Sequence, residues 1–255
     1  MGLSYHRVMV KGMVIWGISV TCYATTSLNV AQDIWPPYVM DTPIGEGIAH
    51  DIVTQGLVRA GYKFAYQHKP WARVLKETYY GKNDIIVAIW KSAERERKYH
   101  FTEPYLYNHL AVISRAGNDK FDYQGLDSLN GLKVALIDNY AYPSDLLDHP
   151  NIEPVPSSDL TTSFRLLLSH RADVVVSDEF VALWTLKEAK LPHGRFHFSA
   201  NKLATNSLHA AVRKSHPLSQ QIVYSLNYHF RTIDEVKLGE LKKKYGLEKI
   251  ELERP

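Results

Sequence analysis

The sequence lacks the features that redox, metal-thiolate and nucleic-acid-binding proteins require. Cys22 is the only cysteine among 255 residues, which excludes an internal disulfide framework and a set of cysteine ligands. The formal net charge is only +3, without a concentrated basic block, whereas a nucleic-acid-binding domain carries a basic face or stripe. The sequence also contains no Ser–His–Asp or Cys–His constellation and no phosphate-binding P-loop, so it does not indicate a familiar hydrolase or nucleotide hydrolase.

Long hydrophobic runs are also missing, because no apolar stretch approaches the roughly 20 residues that cross a bilayer. A short apolar run at residues 12–21 follows Arg7 and Lys11 and precedes small residues. This pattern predicts a cleaved signal peptide at residues 1–24 and export to the periplasm. Two alternatives remain, an uncleaved membrane anchor and a lipoprotein acylated at Cys22.

The chain does contain a regular alternation of hydrophobic strands and amphipathic helices. Short apolar runs predict strands at residues 28–31, 64–66, 85–89, 110–113, 133–137, 174–176 and 208–212. Helical periodicity predicts helices at residues 47–61, 71–80, 160–170, 180–189 and 218–245. This alternation is typical of an α/β fold with a mostly parallel sheet.

Two strand ends carry opposite charges. In both halves of the chain a helix is followed by a turn, an Asp and a buried strand. The first strand, 85–89, is followed by Arg95, and the second, 174–176, is followed by Asp178. Ligands of open α/β sheets bind beyond the carboxyl ends of strands, and a guanidinium can grip a carboxylate through two hydrogen bonds. The pair therefore suits a ligand with both charges.

Short motifs occur in a specific order along residues 28–246. The best matched is Glu94-Arg95 followed by Phe101-Thr-Glu-Pro-Tyr105, and the others are Pro36-Pro-Tyr38, Gly47-Ile-Ala-His-Asp-Ile52, Leu126-Asp-Ser-Leu-Asn-Gly-Leu-Lys-Val134 and Ala172-Asp-Val-Val-Val-Ser-Asp-Glu179. Together they resemble the bacterial extracellular solute-binding proteins of family 3, which are amino-acid-type receptors of ABC importers.

The resemblance implies a type II periplasmic-binding-protein fold. Two lobes, each with a mostly parallel sheet flanked by helices, would be joined by two hinge crossings. Lobe 1 would comprise residues 28–106 plus 213–250, and lobe 2 residues 107–212. The resemblance further implies a monomer that is not an enzyme, needs no cofactor or metal, and captures a small polar, amino-acid-like solute for a membrane ABC permease.

The resemblance also assigns roles to individual residues. Arg95 matches the Arg that grips the ligand carboxylate, with a solvated charge run as the alternative interpretation. Asp178 matches the acid that holds the ligand amino group, although an Asp at this place can equally cap the following helix. Trp35 and Trp71 match aromatic residues that sandwich the ligand side chain, and core packing is the alternative for both.

Five further residues complete the predicted ligand-binding set. Tyr38 and Arg73 lie close in sequence to the two tryptophans. Trp90 replaces a small polar residue of the family pattern, and Asn139 and Tyr140 belong to a segment that replaces its usual anion-binding loop. These departures put a standard α-amino acid in doubt and favour a larger or less anionic ligand.

Other functions are open on the sequence alone. One alternative is a periplasmic, dehydratase-like enzyme on the same fold, with Asp178 or Glu179 as general acid or base. Another is a ligand sensor for a membrane kinase. A metal site at His193 and His197 is not expected, because the intervening Gly194 opposes a helix that would present both.

Overall fold

The computed structural model describes residues 1–2, 27–117, 120–245 and 247. The predicted signal peptide, apart from its first two residues, and Cys22 lie outside the described residues. Within the described ranges, no helix has both the length and the apolar character needed to cross a membrane.

The described chain alternates strands and helices. The strands are β1 Ser27–Gln32, β2 Lys63–His68, β3 Ile85–Trp90, β4 Tyr99–Phe101, β5 Leu106–Arg115, β6 Lys133–Ile137, β7 Glu153–Ser157, β8 Val174–Asp178 and β9 Phe196–Arg213. The α-helices are α1 Ile48–Arg59, α2 Trp71–Tyr79, α3 Ala93–Glu96, α4 Ser144–Leu147, α5 Leu160–Leu168, α6 Glu179–Glu188, α7 Ser219–Thr232 and α8 Glu235–Lys244.

The strands form one continuous sheet in the order β2-β1-β3-β9-β5-β8-β6-β7, and β4 pairs with β9. Strands β1, β2 and β3 are parallel to one another, as are β6, β7 and β8. The long strands β5 and β9 run antiparallel between these two groups. The predicted α/β fold, with parallel strands flanked by helices, is confirmed.

Strands β3 and β8 are the members of the two parallel groups that lie next to the antiparallel strands β9 and β5. Every residue of both strands is buried, which explains why they read as continuous apolar runs rather than alternating ones. A strand enclosed on both faces is held firmly, so the residues just beyond its carboxyl end are placed with little freedom. Arg95 follows β3, and Asp178 is the last residue of β8.

Several elements differ from the sequence-based expectation. The short elements β4, α3 and α4 were not predicted, and β9 begins at Phe196 rather than at residue 208. The predicted helix at 218–245 is two helices, because the Asp234 carboxylate accepts a hydrogen bond from the Lys237 amide at 2.7 Å and starts α8 anew. Strand β7 was missed because its sequence, Glu-Pro-Val-Pro-Ser, contains two prolines that cannot donate to a ladder. It is an edge strand that pairs with β6 alone, so this lost donor is tolerated.

Candidate functional site

Arg95 is a buried cation held between two segments that are distant in sequence. Its backbone amide donates to the Ser92 hydroxyl, which caps the short helix α3. Its Nη1 donates to the Trp90 carbonyl at 2.7 Å, and its Nη2 donates to the Asn139 carbonyl at 2.8 Å. Burial lowers the pKa of Arg95 to about 10, so the guanidinium remains charged at neutral pH.

The backbone carbonyl of Asn139 accepts a second hydrogen bond, from Trp71. The Trp71 indole Nε1 donates to this carbonyl at 3.2 Å, and the Trp71 ring lies 5.3 Å from the Arg95 guanidinium carbon. The Asn139 backbone is left-handed, with φ of 62°, a conformation that Asn tolerates better than most residues. This turn aims its carbonyl at Arg95.

Three aromatic rings from three segments pack beside Arg95. The centroids of Trp35 and Trp90 are 5.5 Å apart, those of Trp90 and Tyr140 are 5.4 Å apart, and those of Trp35 and Tyr140 are 6.4 Å apart. All three pairs meet edge to face, which is a favourable geometry for aromatic rings. The Trp35 Nε1 is buried and has no hydrogen-bond partner among the described residues, so this wall carries one free donor.

Asp33 was not among the predicted site residues, although it directly follows strand β1 and ligands of open α/β sheets bind beyond the carboxyl ends of strands. It receives a hydrogen bond from the Gln32 side chain at 2.8 Å. Burial raises the pKa of Asp33 to about 6, against the opposing effect of Gln32. This carboxylate and the Arg95 guanidinium line the same cavity.

Two adjoining cavities make up the site. The inner niche, about 20 Å³, lies among the side chains of Asp33, Trp35, Trp71, Trp90, Arg95 and Tyr140, and it has room for about one water molecule. The outer cavity, about 700 Å³, is lined by residues 33–36 and 68–72 on one side and by 137–140 and 158–161 on the other. Asp33, Trp35, Trp71 and Tyr140 line both.

The structure does not place Asp178 on the wall of either cavity. The residue is fully buried, and its carboxylate accepts from the amides of Phe180 and Val181, at 3.0 and 2.9 Å, where it caps α6. It also accepts from the Asn108 side chain at 2.9 Å and from the Tyr38 hydroxyl at 3.3 Å. Burial raises the pKa of Asp178 to about 6. In this structure the Asp178 carboxylate caps α6, which is the alternative role that the sequence allowed.

Tyr38 and Arg73 also lie off the cavity walls. Tyr38 is fully buried behind Trp35, with ring centroids 4.9 Å apart. Arg73 is exposed, and its Nε donates to the Glu77 carboxylate at 2.8 Å, one turn further along α2. The structure therefore brings together Arg95, Trp35, Trp71, Trp90, Asn139 and Tyr140, and not Tyr38, Arg73 or Asp178.

The two histidines considered in the sequence do not converge. His193 stacks on Phe198, and His197 Nε2 contacts the Asp122 carboxylate. Within the described ranges, one other group has donor spacing compatible with a cation, namely Asp41, Glu46 and His68, with ligand atoms within 4.8 Å of one another. His68 and Glu46 already share a 2.9 Å hydrogen bond.

Comparison with known proteins places this geometry in context. Residues 28–248 match the family described as bacterial extracellular solute-binding proteins, family 3. No curated protein matches the sequence.

Several solved structures share the fold. Holo ArgBP from T. maritima is 20% identical, with a TM-score of 0.69 over 86% of this chain and 96% of that one. An ancestral arginine-binding protein bound to glutamine is 20% identical, with a TM-score of 0.73 over 88% and 100%. A histidine kinase sensor domain with similarity to periplasmic binding proteins is 20% identical, with a TM-score of 0.75 over 90% and 98%.

Proposed function

Because the chain belongs to family 3 of the bacterial extracellular solute-binding proteins, we propose that it captures a small polar, amino-acid-like solute in the two adjoining cavities. The family is one of binding proteins, so the chain is a solute-binding protein and not an enzyme. This removes the dehydratase alternative that the sequence left open.

The observation that carries this proposal is the convergence of opposite charges and aromatic rings on one cavity. Arg95 supplies a buried cation, Asp33 supplies a carboxylate, and Trp35, Trp71 and Tyr140 supply flat apolar faces. A few well-placed polar groups in a mostly aromatic pocket are typical of small-molecule sites. The outer cavity of about 700 Å³ is larger than a simple amino acid requires.

The described geometry also supports a closing motion. Residues 33–36 and 68–72 lie at or just beyond the carboxyl ends of β1 and β2, and residues 137–140 and 158–161 lie at or just beyond those of β6 and β7. Strands β5 and β9 are the two long connections between the parallel groups β1–β3 and β6–β8. We infer that they act as hinge crossings between a lobe of residues 28–106 plus 213–250 and a lobe of residues 107–212, and that solute closes the lobes for recognition by an ABC permease.

A calorimetric screen of amino acids, amines and related metabolites tests the proposal. We expect at least one solute to bind, and Trp35→Ala to weaken that binding at least tenfold because it removes one wall of both cavities. Tyr224→Ala is the matched control, since Tyr224 is an exposed aromatic residue on α7 outside these cavities. The absence of binding heat across the whole library would refute the proposal.

A sensory role is the second candidate, favoured by the TM-score of 0.75 with the histidine kinase sensor domain. Both roles use the same closed form and differ in the membrane partner that reads it. Cross-linking in membranes, followed by identification of the captured partner, separates a permease from a kinase.

Light scattering tests the expected monomer, and N-terminal sequencing of the exported protein tests cleavage after Ala24.

A further inference from the structure

The Arg95 guanidinium is hydrogen bonded to the backbone of the protein itself. Both terminal nitrogens of its guanidinium donate to backbone carbonyls, one from Trp90 and one from Asn139 on the opposite side of the cleft. The end-on, two-bond grip on a carboxylate uses these same two nitrogens, so a solute carboxylate would have to share them with the Trp90 and Asn139 carbonyls, and Trp71 also holds the Asn139 carbonyl.

The outer cavity carries more negative than positive charge. Asp33, Asp138 and Asp159 line it, and among the lining residues Lys69 is the one ammonium group. The Lys69 Nζ forms an ion pair with Glu77 at 2.8 Å and donates to the Asn83 side chain at 2.6 Å, so both contacts draw the ammonium group toward residues that do not line the cavity. The remaining lining charge attracts cations and repels anions over several ångströms.

The aromatic faces beside Asp33 also favour a positively charged solute. Tryptophan and tyrosine rings attract a cation to their negative face, and Trp35, Trp71 and Tyr140 line both cavities together with Asp33. His68, also on the outer wall, is hydrogen bonded to the Glu46 carboxylate at 2.9 Å.

We infer that this site selects its solute by a positive charge, held by Asp33 between the aromatic faces, and that a carboxylate on the solute is not required. The inference rests on the proposed function, since it names the ligand class of the same cavities. It assigns Arg95 to a positioning role, in which its guanidinium holds the Asn139 turn across the cleft.

Matched pairs of solutes that differ only by a carboxylate test this inference by calorimetry on the full chain. The pairs are agmatine with arginine, cadaverine with lysine, and tryptamine with tryptophan, and indole-3-propionate serves as the solute with a carboxylate and no amine. We expect at least one amine to bind as tightly as its amino acid, or more tightly, and indole-3-propionate not to bind.

Variants of Asp33 sharpen the test. Asp33→Asn should weaken amine binding at least tenfold, whereas Asp33→Glu, which keeps the charge, should retain part of the affinity. Asp148→Asn is the control, because Asp148 is exposed at the end of α4 and lines neither cavity. Circular dichroism confirms that each variant is folded before its affinity is compared.

Several outcomes overturn the inference. It fails if every amine binds at least tenfold more weakly than its amino acid, or if Asp33→Asn binds amines as well as the parent. It also fails, with the proposed function intact, if neutral or anionic solutes of the broader library bind and no amine does. If no solute of the entire library binds, both the inference and the proposed function are refuted.

Discussion

Asp33 and Asp178 are both carboxylates at the carboxyl ends of parallel strands, and burial raises the pKa of each to about 6. Their surroundings differ. Asp178 is enclosed by two helix amides, the Asn108 amide and the Tyr38 hydroxyl, whereas Asp33 receives one side-chain hydrogen bond and lines a cavity. The number of internal donors therefore separates a carboxylate that stabilises the fold from one that is available to a solute.

The largest expected effect is the loss of stability in Asp178→Ala. The substitution leaves two amides at the start of α6, the Asn108 side chain and the Tyr38 hydroxyl without their acceptor. Each unsatisfied buried donor is costly, and we expect the free energy of unfolding to fall by about 3–5 kcal/mol. Urea denaturation followed by fluorescence measures this change.

Asp159→Ala is the matched control for that variant. Asp159 caps α5 in the same way but is exposed, so its loss should cost about 1 kcal/mol. Equal effects of the two substitutions would show that the buried network around Asp178 adds nothing to an ordinary helix cap, and the contrast with Asp33 would then lose its basis.

The second prediction is a gain of stability in Asp33→Asn that depends on pH. Because the folded-state pKa is raised, the folded protein binds more protons than the unfolded chain between about pH 4 and 6, and Asp33 costs stability as pH rises through this window. We expect Asn to stabilise the protein by about 1–2 kcal/mol at pH 8 and by much less at pH 4. Denaturation at both pH values tests this.

A variant that is less stable than the parent at pH 8 would contradict the prediction. Such a result would place Asp33 with Asp178, as a carboxylate whose internal contacts compensate for its burial.

The third prediction concerns the pH dependence of binding. A cationic solute needs ionised Asp33, so its affinity should rise as pH increases through about 6 and should be roughly tenfold weaker at pH 5 than at pH 7. The titratable groups that face Asp33 are Tyr66 and His68 from β2, Arg95 beyond β3, and Tyr140 across the cleft. Calorimetry with a bound amine at several pH values measures the profile.

His68→Gln and Asp33→Asn serve as the two controls for this profile. The first should leave the pH dependence in place and the second should abolish it. A profile that disappears with His68→Gln would assign the dependence to the imidazole instead.

The smallest expected effect is that of Trp71→Phe. Phenylalanine keeps an aromatic face near Arg95 but removes the indole donor to the Asn139 carbonyl. Because that carbonyl keeps its hydrogen bond from Arg95, the stability loss should be about 0.5–1 kcal/mol. Thermal unfolding gives the value, and a loss of several kcal/mol would mean that Trp71 acts mainly as core packing.

The sequence by itself determined the α/β fold and its family. The buried strands β3 and β8 are apolar runs in the sequence, since a strand covered on both faces needs no polar residues. The positions of Arg95 and of three tryptophans relative to the strands and turns predicted that these side chains would lie at one site. Proline-containing β7 and the short break before Asp234 were not predictable, because edge pairing and a local cap decide them.

Only the tertiary structure decided which charges face the cavity. Asp33 and Asp178 occupy equivalent positions in the pattern of strand ends, and no local feature of sequence counts the donors that will surround each carboxylate. Two of the four donors to Asp178, the Phe180 and Val181 amides, are local, but the other two belong to Tyr38 and Asn108, which are 140 and 70 positions away. The carbonyl that Arg95 holds is likewise 44 positions away, so its partner depends on how the two halves of the sheet meet.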